Sequence, residues 1–335
     1  MKVSIALQTD KTTAEYAALG AAAESYGFDG VSVFADLGYQ PPLGALLTIA
    51  AHTSRVRIGA ACLNPYLTHP VELAGQLAVL DTASGGRAYL GLARGSWLSR
   101  VGVAQDRPLR TLQEAAEVVR YLLAGKTDGY HGEVFAIEPD TALRYPVRRS
   151  TVDLLLGVWG PRGAALAGRI ADEVKLGGCA NPDMVATMRG WLRDSATAAG
   201  RTADAVGVVA GAVTVVDDDR AAARRLARAE VAMYLDVVAR LDPTVEVDPE
   251  LLRRLGELVA AGAHAEAGAL IGDALLDRFC FAGTPDEVAE HAAALLDAGA
   301  DRIEFGTPHG RTDRHGVDLL GAKVLPRIRD LAGER

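Results

Sequence analysis

What this 335-residue sequence has little of narrows its function first. Its three cysteines, Cys62, Cys179 and Cys280, lie far apart and without ligand spacing, and no HxxxH or HExxH pattern accompanies them. Neither a disulfide framework nor a metal site is therefore expected. Aromatic residues make up only 5%, so a core has to be assembled from Ala, Val, Leu and Ile. The chain has no Lys/Arg cluster and a net charge of -8, which argues against nucleic acid and against an anionic membrane, since both require a concentrated cationic face. No apolar run approaches the roughly 18 residues of a membrane span. The start MKVSIALQ has no cationic leader, and together with the sparse cysteines this predicts a cytoplasmic protein acting on a small molecule.

What is there is period. Apolar residues reach 49%, and short runs rich in strand formers fall near 3–8, 30–35, 56–62, 88–93, 153–158, 172–177, 206–215 and 302–306. Helical patterns separate most of them. Pro108 suits the first turn of a helix through Leu109, Leu112, Val119 and Leu122. Thr284-Pro285-Asp286-Glu287 combines an N-cap, a first-turn proline and a capping-box glutamate, and Gly299 closes that last helix. Eight strands alternating with helices predict an α/β protein of the (β/α)8 TIM-barrel class. The length fits one domain spanning 1–335. Two insertions interrupt it: a small β excursion within 126–150, and a strongly helical stretch at 217–275 that is too long for one crossover and is expected beside the barrel mouth.

In such a barrel, chemistry sits where strands end and loops begin. The most informative stretch, 55–98, reads as strand, polar loop, helix, strand, with Ala61 and Cys62 ending the first strand, Asn64 following it, and Ser96 and Trp97 after the second. Gln8 ends strand one. Asp36 follows the apolar VSVFA, so its carboxylate should emerge at the mouth, either to bind a cofactor edge or to cap the next helix. Trp159-Gly160-Pro161 and Gly177-Gly178 stand where strands hand over to helices. Backbone N–H groups there can receive a phosphate, or the glycines only permit tight turns. Trp97 is a candidate wall for a flat ring or a packing residue beneath the insertion. Of the histidines only His309, after strand eight, is a functional candidate. Cys62 is either a reactive thiol or a small strand-end residue.

Three ordered segments carry a resemblance: IGAACLNPYLTHPVELAGQLAVLDTASGGRAYLGLARG, GVWGPRGAALAGRIADEVKLGG and FAGTPDEVAEHAAALLDAGADRIEFGTP. The chain resembles the bacterial luciferase-like superfamily over nearly its whole length, and within it the branch that uses coenzyme F420, which includes methylenetetrahydromethanopterin reductase. The resemblance implies the same barrel with insertions, a deazaflavin in the mouth, and a non-prolyl cis peptide at Ala61-Cys62 behind the ring. It places Asp36 and Asn64 beside the deazaflavin, and Trp159, Gly160, Gly177 and Gly178 in its phosphate and ribityl loops. Three positions depart from the pattern. Leu37 replaces a histidine common after the aspartate, Ala6 occupies a region where the reductases carry a glutamate, and Ser96 stands in place of an acidic residue.

The expected activity is hydride transfer between deazaflavin C5 and a small organic substrate with a C=N or C=C bond, folate-like compounds among them. Gln8, Ser96 and His309, together with Tyr39, are the candidates to supply or relay a proton, with Trp97 beside them. An FMN-dependent monooxygenase on the same barrel is the alternative oxidoreductase, and a non-catalytic cofactor-binding protein is the alternative outside enzymes. Apolar barrel helices predict a homodimer.

Overall fold

The computed structural model describes residues 1–333. Among the described residues eleven strands form, β1 (Lys2–Leu7), β2 (Gly30–Val33), β3 (Arg57–Ala60), β4 (Leu90–Ala93), β5 (Tyr130–His131), β6 (Ala136–Ile137), β7 (Leu154–Gly157), β8 (Glu173–Gly177), β9 (Gly207–Val216), β10 (Cys280–Gly283) and β11 (Arg302–His309). Eight of them pair in parallel in the order β3-β2-β1-β11-β9-β8-β7-β4. Single bridges from Ile58 to Ala88 and from Leu63 to Leu92 join β3 to β4, so the sheet closes into the expected barrel. Each predicted strand is one of these staves, with ends moved by a few residues.

The helices are α1 (Thr13–Tyr26), α2 (Pro42–Ala51), α3 (Pro70–Ala83), α4 (Pro108–Leu123), α5 (Gly160–Ile170), α6 (Pro182–Ala198), α7 (Arg220–Ala232), α8 (Leu235–Val238), α9 (Pro249–Ala260), α10 (His264–Ala269), α11 (Asp273–Phe279), α12 (Pro285–Asp297), α13 (Asp313–Leu319) and α14 (Leu325–Gly333). Their ends follow the sequence signals. Thr284 and Glu287 form the capping box of α12 with Pro285 in the first turn, and α3 stops at Ser84 ahead of Gly85, whose φ is +69°. The aromatic-poor core is built as composition requires, with Ile5, Leu92, Leu156, Val174, Ala210 and Ile303 buried in one continuous cluster.

Both insertions differ from a plain crossover. β5 and β6 pair antiparallel as a hairpin, held to α4 by Glu114, whose carboxylate accepts the N–H groups of Glu133, Val134 and Phe135. The helical insertion is α7 to α11, which has its own apolar cluster around Val231, Leu235, Leu255, Ile271 and Phe279. It ends in β10, a strand with no counterpart in the predicted set. At ten residues β9 outruns its five-residue neighbour β8. β10 pairs with the projecting half, Cys280 opposite Val213 through Gly283 opposite Val216, and so satisfies backbone that the barrel leaves uncovered. Among the described residues, no helix is long and apolar enough to cross a membrane, and no group of His, Cys, Asp and Glu is arranged to hold a metal ion.

Candidate active site at the barrel mouth

The strand ends bring Gln8 and Asp36 together. Gln8 Nε2 donates to Asp36 Oδ2 at 2.9 Å while its Oε1 accepts the Thr9 N–H at 2.8 Å, so the amide is fixed in one orientation. Asp36 is exposed and does not cap the next helix: α2 starts behind Pro41 with no side-chain cap. Beside this polar edge the Ala61-Cys62 bond is cis. It is pinned from both sides, Ala61 N–H donating to Val33 O and Leu63 N–H to Gly91 O, each at 2.9 Å. Burial pushes the Cys62 thiol up to about 12, so this cysteine is a packing residue and not a thiolate nucleophile. Its sulfur sits against Gly157. Asn64 turns its carbonyl back into its own loop, accepting from Leu67 N–H at 2.9 Å and Tyr66 N–H at 3.3 Å, and its side chain packs on Gly95.

The two glycine turns differ. At the first, Trp159 caps α5 without a side-chain hydrogen bond, and Gly160 has φ +72° with open space where a Cβ would stand. The start of α5 is therefore left without a side-chain cap, as an anion site requires. At the second, the N–H groups of Gly178 and Cys179 both donate to Gly211 O, at 2.6 and 3.1 Å. That corrects the reading of Gly178 as a phosphate donor. Its φ is +77°, and a Cβ there would come within 2.8 Å of Val238 and 3.4 Å of Tyr234, so the glycine lets α8 close over the barrel. Gly177, next to it, remains open.

Ser96 is exposed at the end of β4, and Trp97, at φ +58°, is half-buried with the Arg100 guanidinium 5.8 Å from its ring centroid. His309 is not a loop residue. It ends β11, is fully buried, and both ring nitrogens are engaged, Nδ1 with Asp313 Oδ1 at 3.0 Å and Nε2 with Phe305 O at 3.2 Å. No nitrogen is left to face a substrate. Tyr39, half-exposed, is held to the Asp36 loop by its N–H, which donates to Asp36 O at 3.3 Å. Burial raises its hydroxyl above the ordinary tyrosine value, and the carboxylates of Asp36, Asp10 and Glu230 push the same way, so it keeps its proton. Glu230, near the end of α7, is itself raised, first by burial.

One set of polar residues escapes a search confined to strand ends. β8 reads EVKLG and β11 begins RIEFG, and in each the charged residues alternate with apolar ones, which sends them all to one face. That face is the barrel interior. Glu304, fully buried, accepts from Lys175 and Ser32 and from Arg302 at 3.3 Å, while Arg302 also reaches Glu173 at 2.9 Å. Ser32 and Tyr89 share a hydrogen bond of 2.8 Å. Burial works against the charge on Glu304, but Lys175 and Arg302 more than offset it, and its carboxyl lies below the usual value. The period-two charges are the sequence signal that marks this set.

Comparison with known proteins sets this geometry in context. Residues 1–302 match the model of a family described as luciferase-like monooxygenase. A 5,10-methylenetetrahydromethanopterin reductase of Archaeoglobus fulgidus is 27% identical over 92% of this chain and 93% of its own. An F420-dependent glucose-6-phosphate dehydrogenase of Nakamurella multipartita is 30% identical over 96% and 94%. The solved coenzyme F420 dependent tetrahydromethanopterin reductase of Methanopyrus kandleri superimposes with a TM-score of 0.88 at 26% identity, covering 98% of this chain and 99% of that one.

Proposed function

Because the chain belongs to the luciferase-like monooxygenase family, we propose that it binds coenzyme F420 across the barrel mouth and transfers a hydride between the deazaflavin and a small organic substrate with a C=N or C=C bond. One observation carries this reading. Relatives named for a pterin and for a sugar phosphate match the chain over nearly its whole length, and what they have in common is the cofactor, not the substrate.

The residues fit the group. Gln8 and Asp36 offer a fixed polar edge to a heterocycle, and the empty space beside Gly177 leaves room for a flat ring to approach. The uncapped start of α5 at Gly160 supplies N–H groups and a positive helix end for the phosphate. Asn64 holds the loop beside the ring, and Trp97 lines the side of β4. When bound, the deazaflavin supplies or receives the hydride at C5. The protein then has to hold the acceptor over that carbon and exclude water. Where the substrate needs a proton as well, the Ser96 and Tyr39 hydroxyls are the groups at the mouth that carry one; an iminium acceptor needs none. The reading extends to a cytoplasmic homodimer.

The test is direct. Titration with F420 should quench the cofactor's fluorescence, and reduced F420 should regain its visible absorbance in the presence of one class among iminium, enone and imine acceptors. Binding of FMN with oxygen uptake, and none of F420, would replace this reading by the monooxygenase. Tight F420 binding without turnover of any acceptor would leave a carrier.

A further inference from the structure

The barrel interior holds a buried charge pair of the kind that gains little over apolar packing. Lys175, buried on β8, reaches across to Glu304 on β11, and its Nζ also lies 4.9 Å from the centroid of Phe34, the residue that follows β2 at the mouth. Its Cε packs where a Cβ on Gly211 would come within 3.2 Å. On the adjacent strand its register partner is Gly157, which contacts the sulfur of Cys62. The ammonium therefore stands on the inner side of the Ala61-Cys62 wall, to which the proposed cofactor ring would be applied. The other interior charges are committed lower down: Arg302 divides itself between Glu173 and Glu304, and Arg57 pairs with Glu173 and Asp153. Ser32 and Ser4 take up further valence on Glu304. Burying such a pair gains little over apolar packing, so a role beyond packing is the more economical reason for it.

We propose that Lys175 is an electrostatic positioning residue for the deazaflavin, its cation anchored by Glu304 so that positive potential lies under the ring and favours the form that has gained the hydride. This rests on the F420 reading above. Adding a hydride adds an electron pair to the ring, and a fixed cation in a low-dielectric interior offsets that charge without reorganising. The pair divides the work: Lys175 faces the wall, and Glu304 accepts from its ammonium and holds it there.

The experiment uses the full chain loaded with F420 and reads the cofactor's midpoint potential and the pH titration of its bound absorbance, neither of which depends on turnover. Lys175→Met should lower the potential by the equivalent of about tenfold in the reduction equilibrium, about 30 mV for two electrons, and shift the absorbance titration towards higher pH. Lys175→Arg should restore most of both. Glu304→Gln removes the opposing negative charge while its amide oxygen still accepts from the Lys175 ammonium, so it should move the potential the opposite way, and it keeps the proposal open to refutation if Lys175→Met folds poorly. Unchanged potential and titration in folded, cofactor-binding variants would overturn it. If the unaltered protein binds no F420, the cofactor reading fails first, and visibly so.

Discussion

The two glycine turns at the mouth, Trp159-Gly160 and Gly177-Gly178, look alike in the sequence and behave differently in the fold. Both follow a barrel strand, and both contain a residue with positive φ. Yet the first leaves the start of α5 uncapped and open, whereas the second spends its N–H groups on Gly211 O and receives Val238 and Tyr234 from the insertion. What separates them is the neighbour. β9 runs beside β8 with Gly211 opposite Gly177, so a carbonyl is at hand, and α8 lies above. A glycine at a strand end thus has two uses, to let a ligand approach or to let the chain approach itself, and only the surroundings choose between them.

Substitutions that separate these uses break or sharpen the contrast. The largest effect belongs to Gly178→Val. The left-handed backbone and the collision with Val238 together should cost about 2–4 kcal/mol, seen as a lower urea midpoint, with F420 and its phosphate-free chromophore weakened alike. If stability were unchanged, α8 would not be seated on this turn. Gly160→Ala comes next. It meets no neighbour, so only the positive φ counts, about 1 kcal/mol. The loss should appear mainly in binding: about tenfold for F420 by fluorescence titration, some 1.4 kcal/mol, and little for the chromophore without its phosphate. Equal losses for both ligands would remove the phosphate from α5. Gly177→Ala is milder still, since its φ is ordinary and its Cβ space is empty. Stability should hold within about 0.5 kcal/mol, while F420 binding weakens a few-fold because the new methyl narrows the mouth.

How far the sequence reveals such things depends on range. The eight barrel strands are legible because each is a short apolar run between turn signals, and the capping box of α12 because its four residues explain one another. The interior charges are legible too, once the alternation in EVKLG and RIEFG is weighed against burial. β10 is not, because CFAG becomes a strand only where β9 outruns the barrel and needs a partner. His309 misleads for a similar reason. Nothing in the polar run after it marks which of its neighbours it will meet, and only the turn into α13 brings Asp313 to its Nδ1. His315, one turn further on, faces away to Asp217 at 3.3 Å, so two histidines in one short segment answer to different carboxylates.

The smallest effect tests how the closed turn is propped. His291 on α12 donates from Nε2 to Ala180 O at 2.7 Å, directly after the Gly178-Cys179 pair, and packs against Phe281 with ring centroids 5.1 Å apart. Burial lowers its pKa below the usual imidazole value. The Ala180 carbonyl and Asp277 pull it up, Arg224 and Arg278 pull it down, and burial prevails. As pH falls, the unfolded chain therefore takes up this proton first, from about 6.5, and the folded one only lower. Stability from the neutral ring is complete above that range and declines as pH drops through it. The urea midpoint should fall modestly between about pH 7 and pH 5.5, with faster exchange of the Gly178 and Cys179 amides and no matching change at the start of α5. His291→Gln, which keeps a donor for Ala180 but cannot take up the proton, should lose that slope. A variant that kept it would place the titrating group elsewhere and leave the closed turn resting on Gly211 and α8 alone.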